Sequence, residues 1–368
     1  MDHTDICVVG GGPAGLAAAI AARRKGFRVA VVEAARPPID KACGEGIMPD
    51  GLAALREIGV PVRLEHGAPF RGLRFVDGAY SASALFAGEP GIGLRRTALH
   101  ELLAEHAAAS GVALHWGTPV RGLAPGRVDF GRRTLRCRWI VGADGERSLV
   151  RRWAGLDAGR RTSRRVGFRC HFAIEPWSDH VEVYWGERGQ WYVTPVGPRE
   201  LCVAFVTRDP RLRFPAALAA CPALTRHLAG AHPLADVRGA VSVSRRLHAV
   251  QRGAVALVGD ASGSVDAITG EGLCLAFRQA LALAAALAAD DLSAYQTTHR
   301  RIARLPAWMA RLMLLLDRHP ALRRRIMRAL SSDPALFPRL AAIHTGALAP
   351  GAFGVGGALS LGWQLLTG

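Results

Sequence analysis

Asparagine is absent from the 368 residues, and lysine occurs only at Lys25 and Lys41. The basic complement is otherwise all arginine, and the formal net charge is +17. This usage fits a GC-rich coding sequence better than selection for phosphate contact. The arginines are dispersed, with crowding only at Arg160 to Arg169 and at Arg323, Arg324, Arg325 and Arg328. No aromatic-studded basic motif accompanies them, so a nucleic-acid partner is not expected. An anionic membrane surface, an acidic partner or the phosphates of NADPH stay physically open.

Cysteine pairs are also missing. Cys7, Cys43, Cys137, Cys170, Cys202, Cys221 and Cys274 are scattered without a Cys-x-x-Cys, which argues against a zinc site and against a disulfide scaffold. No Ser-His-Asp or metal-ligand spacing is visible, and no metal is expected. The first apolar run starts at about Ile6, leaving no room for a signal peptide, so a reducing cytoplasm is the expected compartment. Repeats and low-complexity tracts are lacking while half the chain is apolar, the profile of a globular enzyme with one large core or two modest domains. Beyond Arg339 there is no formally charged side chain. Pro350 and glycines at 351, 354, 356 and 357 make that tail a poor membrane span. It is read as packing on the protein, with a peripheral membrane contact as the alternative.

What is present is a set of three glycine-centred motifs. Gly10-Gly11-Gly12-Pro13-Ala14-Gly15 follows the apolar run Ile6 to Val9 and opens an Ala-rich helical segment; Glu33 ends the next apolar run. In such a unit a pyrophosphate sits on the helix N-terminus and the acid takes a ribose hydroxyl pair, so the pattern specifies a dinucleotide. Gly142-Ala143-Asp144-Gly145 ends a second buried strand. The third motif is Gly259-Asp260, closing at Gly270-Glu271-Gly272, with a carboxylate placed to accept bonds from a ribityl chain. Each cluster alone is equally well a tight turn; the order of the three is what carries information.

With these motifs the chain resembles the superfamily of FAD-dependent aromatic hydroxylases and geranylgeranyl reductases over roughly residues 4–300. The resemblance implies an α/β protein of α+β two-layer character, with a Rossmann-like FAD-binding domain, an inserted antiparallel β-sheet substrate domain and a C-terminal helical region. The FAD-binding domain is expected from residues 1–66, 92–159 and 246–300, the substrate domain from 67–91 and 160–245, and the helical region from 301–368. Period-two alternation at Phe168, Cys170 and Phe172, at Val181, Val183 and Trp185, and at Val203 and Phe205 independently reads as half-buried strands. Ala307 to Leu330 reads as an amphipathic helical pair broken at His319-Pro320, and a helix starting near Leu273 would point its N-terminus at the flavin.

The resemblance also implies site residues. Gly10, Gly12, Pro13, Ala14, Gly15, Glu33, Arg96, Asp144, Gly145, Gly259, Asp260, Gly270, Glu271 and Gly272 are expected to hold FAD. Lys41-Ala42-Cys43-Gly44-Glu45-Gly46-Ile47 lies in the loop that approaches the flavin ring in that family, making Cys43 the candidate proton donor or polar contact. The bland alternative, a small residue that lets the loop pass, weighs equally. Tyr184, Trp185, Trp191 and Tyr192 are candidates for a flat apolar substrate pocket, although strand aromatics are more often core. His171 and His180 are candidate bases, though such sheet histidines are more often structural. Alanine at 267 replaces the proline common in the family. Trp191-Tyr192-Val193-Thr194-Pro195 matches a halogenase motif only in part, so halogenation is not expected.

Three functions remain in view. The leading expectation is an NAD(P)H- and O2-dependent monooxygenase of an aromatic or phenolic-lipid substrate. The alternatives are a reductase of isoprenoid double bonds on the same cofactor and a non-catalytic flavin-binding redox module. Sequence leaves the oligomeric state open.

Overall fold

The strands Ile6 to Val9 and Val29 to Val32 are apolar at nearly every position because both faces of their sheet are covered. The computed structural model describes residues 3–131, 133–346 and 348. In it His3–Val9 lies between Val29–Val32 and Thr134–Gly142, parallel to both. Ala113–His115 extends one edge and Val255–Leu257 the other, again parallel. The chain first builds outward to one side and then returns to the other. The ends of His3–Val9 and Thr134–Gly142 therefore form the crevice in which ligands of open α/β sheets bind.

The first helix, Pro13–Arg24, starts in that crevice with proline in its first turn, where the missing N–H costs nothing. Glycine is required at two neighbouring positions. Gly10 holds φ +113°, and a Cβ on Gly15 would stand 1.9 Å from the Gly10 carbonyl oxygen. Strand and helix approach too closely for any side chain there.

The second sheet comes from residues 72–85 and 159–247. Its central order is Gly159–Ala173, Glu200–Thr207, Gln190–Gly197, His180–Trp185, Gly72–Asp77, Tyr80–Leu85. The sheet is not wholly antiparallel, because His180–Trp185 runs parallel to Gly72–Asp77. Those two strands come from separate stretches of chain and have no hairpin to force opposite directions.

Alternation divides this sheet into two faces. Trp191, Tyr184, Val193, Val203 and Phe205 pack with Phe214 and Leu224 under the short helices Phe214–Ala219 and Pro222–His227. Val183, Tyr192, Ala204 and Val206 cluster on the opposite face, toward the first sheet. Four helices follow among the described residues, Gly272–Ala288, Leu292–Arg318, Pro320–Ser332 and Leu336–His344. Asp291 caps the long helix by accepting from the Ser293 and Ala294 amides. The break at His319-Pro320 falls where sequence places it. Arg323 pairs with Asp77 at 2.8 Å, fastening the helices to the second sheet. Among the described residues no helix is long and apolar enough to cross a membrane. Residues 347 and 349–368 of the uncharged tail lie outside the described residues.

Trp191 is 1% exposed, with its ring centroid 4.3 Å from Phe205 and 5.2 Å from Phe214. Trp191→Ala should cost about 3–5 kcal/mol in equilibrium denaturation, as truncations of buried aromatics do. An unchanged denaturation midpoint would remove this outer core from the account of stability.

Candidate active site

A cavity of about 2790 Å³ separates the inner face of the second sheet from the crevice of the first. Its walls include Gly10, Gly12, Pro13, Ala14 and Glu33 from the first motif, Arg96, then Asp144, Gly145, Gly259, Asp260, Gly270 and Gly272. Gly15 lies behind this surface, buried against Gly10. Two helices present their N-termini here, Pro13–Arg24 and Gly272–Ala288, and each favours negative charge.

Each expected carboxylate has a definite position. Glu33 accepts from the Gly11 amide at 2.7 Å and the Ala35 amide at 2.8 Å, which fixes it at the strand end. Asp260 pairs with Lys41 at 3.0 Å, and both line the cavity. Asp144 is on the wall, but its oxygens accept from the Ser148 hydroxyl and from the Leu149 and Val150 amides. Its carboxylate caps the short helix Leu149–Trp153, so it shapes the turn instead of presenting a free acid.

Glu271 departs from expectation. It is 6% exposed and does not line the cavity, with Oε1 3.9 Å from Nδ1 of His344, which does. The Gly270 and Gly272 backbone reaches the wall while the intervening side chain points into the protein. Burial raises Glu271 to about 8 and lowers His344 to about 4.

The aromatic quartet is also corrected. Only Tyr192 lines the cavity, its hydroxyl donating to the Ile268 carbonyl at 2.7 Å. Trp191 and Tyr184 are on the outer face, and Tyr184 donates to Glu182. Trp185 shares the inner face but is closed over by Ile268, Ala310, Met313 and Leu316. Consecutive strand residues point to opposite sides, so neither Trp191 and Tyr192 nor Tyr184 and Trp185 can form one wall.

Cys43 is half-buried on the cavity wall, and the Glu45 amide donates to its sulfur at 3.4 Å. Burial raises its pKa, while the Arg96 guanidinium opposes the rise. The net effect keeps the thiol protonated. Glu45 itself is a site residue that sequence reasoning did not single out. It is 1% exposed and its carboxylate accepts from the Arg96 amide at 3.0 Å, Arg169 Nη1 at 2.9 Å and His171 Nε2 at 2.6 Å. Arg169 also holds both oxygens of Asp40. His171, a candidate base, is thus committed to Glu45. His180 lies 2.7 Å from the Asp179 carboxylate. Glu45, His171 and Cys202 bring possible ligand atoms within 4.8 Å of one another, but the guanidinium on Glu45 already neutralises the carboxylate a cation would need.

Among the described residues six arginines are buried: Arg96, Arg151, Arg165, Arg169, Arg245 and Arg323. Five of them pair with Asp or Glu. Arg96 alone has no carboxylate partner among the described residues, and its Nη1 makes no hydrogen bond. A buried guanidinium on the wall of a dinucleotide crevice calls for an acceptor from the ligand. Glycine cradle, helix termini, Glu33 and Arg96 together fit FAD.

These features define an FAD-dependent oxidoreductase. The chain belongs to the FAD binding domain family, whose pattern spans residues 3–293, within the superfamily of flavoprotein hydroxylases and geranylgeranyl reductases. It is 30% identical over 300 residues to the menaquinone reductase of Mycolicibacterium smegmatis, covering 74% of this chain and 73% of that protein. It is 29% identical over 309 residues to the digeranylgeranylglycerophospholipid reductase of Methanocella arvoryzae, covering 73% of each. A shorter stretch of 181 residues is 38% identical to the 6-methylpretetramide 4-monooxygenase of Streptomyces rimosus, 43% of this chain and 42% of that protein. In fold, a flavoprotein/dehydrogenase of Cytophaga hutchinsonii superposes with a TM-score of 0.83 at 19% identity, covering 99% of this chain and all of that one.

The purified protein should be yellow and release FAD on acid precipitation. Asp260→Ala should lose most of its flavin on gel filtration. Glu33→Ala should weaken binding by about 1.5–3 kcal/mol, the range for a hydrogen bond to a charged group. Equal flavin occupancy in wild type and Asp260→Ala would remove Asp260 from the cofactor site.

Glu271 generates a separate expectation. Unfolded, it ionises above its ordinary value of 4.5, whereas folded it keeps its proton to about 8. Its contribution to stability is complete below the first value and is lost as pH rises through the second. His344 works in the opposite sense, with stability lost as pH falls from 6.5 toward about 4. Glu271→Gln should therefore raise the thermal midpoint increasingly as pH goes from about 5 to about 8. A constant difference across that range would refute the assignment.

Proposed function

We propose that this flavoenzyme reduces a carbon–carbon double bond in the polyprenyl chain of a lipid. The observation that carries the reading is the cavity, whose volume of about 2790 Å³ takes in the FAD crevice and extends well beyond it. Beyond the dinucleotide crevice it continues over Val181, Val183, Ala204 and Val206 to Leu312, Met327, Leu330 and Phe337. Apolar walls of this extent suit a long hydrocarbon and offer little to a compact phenol. The relatives matched over about three quarters of both chains support the same reading, since their names are those of a menaquinone reductase and a phospholipid reductase. The monooxygenase match is confined to less than half of each chain.

FAD, when bound and reduced by a donor such as NAD(P)H, would supply the hydride. The chain's residues must supply everything else. Cys43 holds a proton on Sγ at the cavity wall, and transfer of that proton to the second alkene carbon completes the addition of two hydrogens. The thiolate left behind faces the Arg96 guanidinium, which favours the charged form until solvent restores the proton. Glu45 keeps the Cys43 loop in place through Arg169 and His171. The apolar inner face excludes water along the rest of the chain.

The rival reading is NAD(P)H- and O2-dependent hydroxylation of an aromatic or phenolic lipid, in which Cys43 only shapes the pocket. Anaerobic incubation of the holoenzyme with an electron donor and menaquinone separates the two. The expected product carries two added hydrogens in the side chain, and Cys43→Ser should slow its formation on the order of 10²-fold or more without lowering flavin content. Product that forms only with O2 and gains an oxygen atom, in wild type and Cys43→Ser alike, would overturn the proposal.

A further inference from the structure

The long helix Leu292–Arg318 buries Ile302, Pro306, Met309, Ala310, Met313 and Leu316. Its opposite face carries Arg301, Arg304, Trp308, Arg311, Leu315 and Arg318, spaced three and four residues apart, so they form one continuous stripe. Trp308 is 51% exposed and Leu315 43%, unusual for side chains of this size on a helix that could have buried them. The four arginines make no hydrogen bond or ion pair among the described residues. Over residues 292–332 there are nine arginines and a single acid, Asp317. That acid is turned inward onto Arg165 and Gln190.

We infer that this stripe is a peripheral docking surface for an anionic lipid leaflet. Its chemistry selects that partner. Arginines flank a tryptophan and a leucine, so guanidinium groups can meet phosphates while the apolar pair enters the headgroup–acyl boundary. An acidic protein or nucleic acid would satisfy the charges but leave the apolar centre without a partner. Position supports the same conclusion, because all six stripe residues line the cavity. A helix of 27 residues spans about 40 Å, enough to lie along a membrane surface. Docked in this way, the cavity would open toward the bilayer and a polyprenyl chain would enter without crossing water. The inference deepens the proposed substrate class, but its test reads binding alone and needs no turnover.

The full-length holoenzyme is floated with vesicles of phosphatidylcholine alone or with added phosphatidylglycerol. Binding is expected only with the anionic lipid and should weaken as salt shortens the reach of the charges. Each basic side chain near such a surface is worth about a fivefold gain. Arg304→Glu/Arg311→Glu should therefore lower the partition coefficient on the order of 10²-fold or more. Trp308→Ser should lower it less, about tenfold, with flavin content and thermal midpoint serving as folding controls in both variants. Failure of the wild type to float with anionic vesicles would overturn the inference. So would retention of binding by the double arginine variant, or loss on removing residues 349–368 while the helix variants still bind; the membrane contact would then lie elsewhere. If the vesicle result holds but no double bond is reduced, the docking surface stands and the substrate reading falls.

Discussion

The Glu45 carboxylate is the joint on which the site depends. It lies in a loop of the first sheet's domain at φ +61°, a left-handed conformation that a non-glycine residue holds only when its surroundings over-determine it. Those surroundings are three donors from two separate elements. Arg169 and His171 project from the longest strand of the second sheet, and the Arg96 amide opens the helix Arg96–Ala109. One buried anion thus fixes the Cys43 loop, the second sheet and the start of the Arg96 helix relative to one another. Pairing is essential in such a place, since removing one partner of a buried ion pair costs about 3–5 kcal/mol. The bridge from Arg169 to Asp40 adds a second charge, so the guanidinium lies between two carboxylates and remains charged.

The same arrangement sets the state of the thiol. Two opposing influences act on Cys43, burial and the Arg96 guanidinium, and burial is the larger. A nucleophilic cysteine needs the reverse balance, with the positive charge dominant. The thiol of Cys43 is therefore kept protonated and is poorly placed to attack carbon. Arg96 is itself desolvated, which lowers its pKa and sharpens its demand for an anionic partner. Arg96 thus lies between the dinucleotide crevice and the thiol, and its charge bears on both.

What was legible in the sequence was local. The glycine motifs, the helix start near Leu273 and the break at His319-Pro320 each concern residues within a few positions of one another, and Glu33, 22 positions from the Gly11 amide, is legible through the fixed length of the strand–turn–helix–strand unit. Their physics is that of turns and helix ends. The Glu45 network joins residues 51, 124 and 126 positions apart, and no periodicity encodes such a meeting. A charged residue inside a Cys-Gly-Glu-Gly loop was the one available signal. The misplacement of Trp191, Tyr184 and Glu271 has a different origin. Each neighbours a residue that does reach the cavity; for the two strand residues the neighbour in an extended chain faces the other way, whereas Glu271 sits in the turn at a helix start with its flanking glycines on the wall. Proximity along a strand is not proximity to one wall, because period-two geometry sends neighbours to opposite faces.

Composition was the least reliable guide, because it adds together arginines that serve different ends. Arg165, Arg169, Arg245 and Arg323 are buried and paired, and each ties one segment of a discontinuous chain to another, as Arg151 does through the Ala261 carbonyl. Arginine suits that task, since its planar fork satisfies two acceptors at once and its charge persists in a poorly solvated site. Arg301, Arg304, Arg311 and Arg318 are not needed for such ties and are left in solvent along one helix. A lysine-poor chain would show the same net charge if every arginine were structural or if every one were exposed. Only the division between paired and unpaired guanidinium groups separates these cases. Among the unpaired guanidinium groups two placings stand out, Arg96 buried in the cofactor crevice and the row Arg301, Arg304, Arg311 and Arg318 along one face of the long helix.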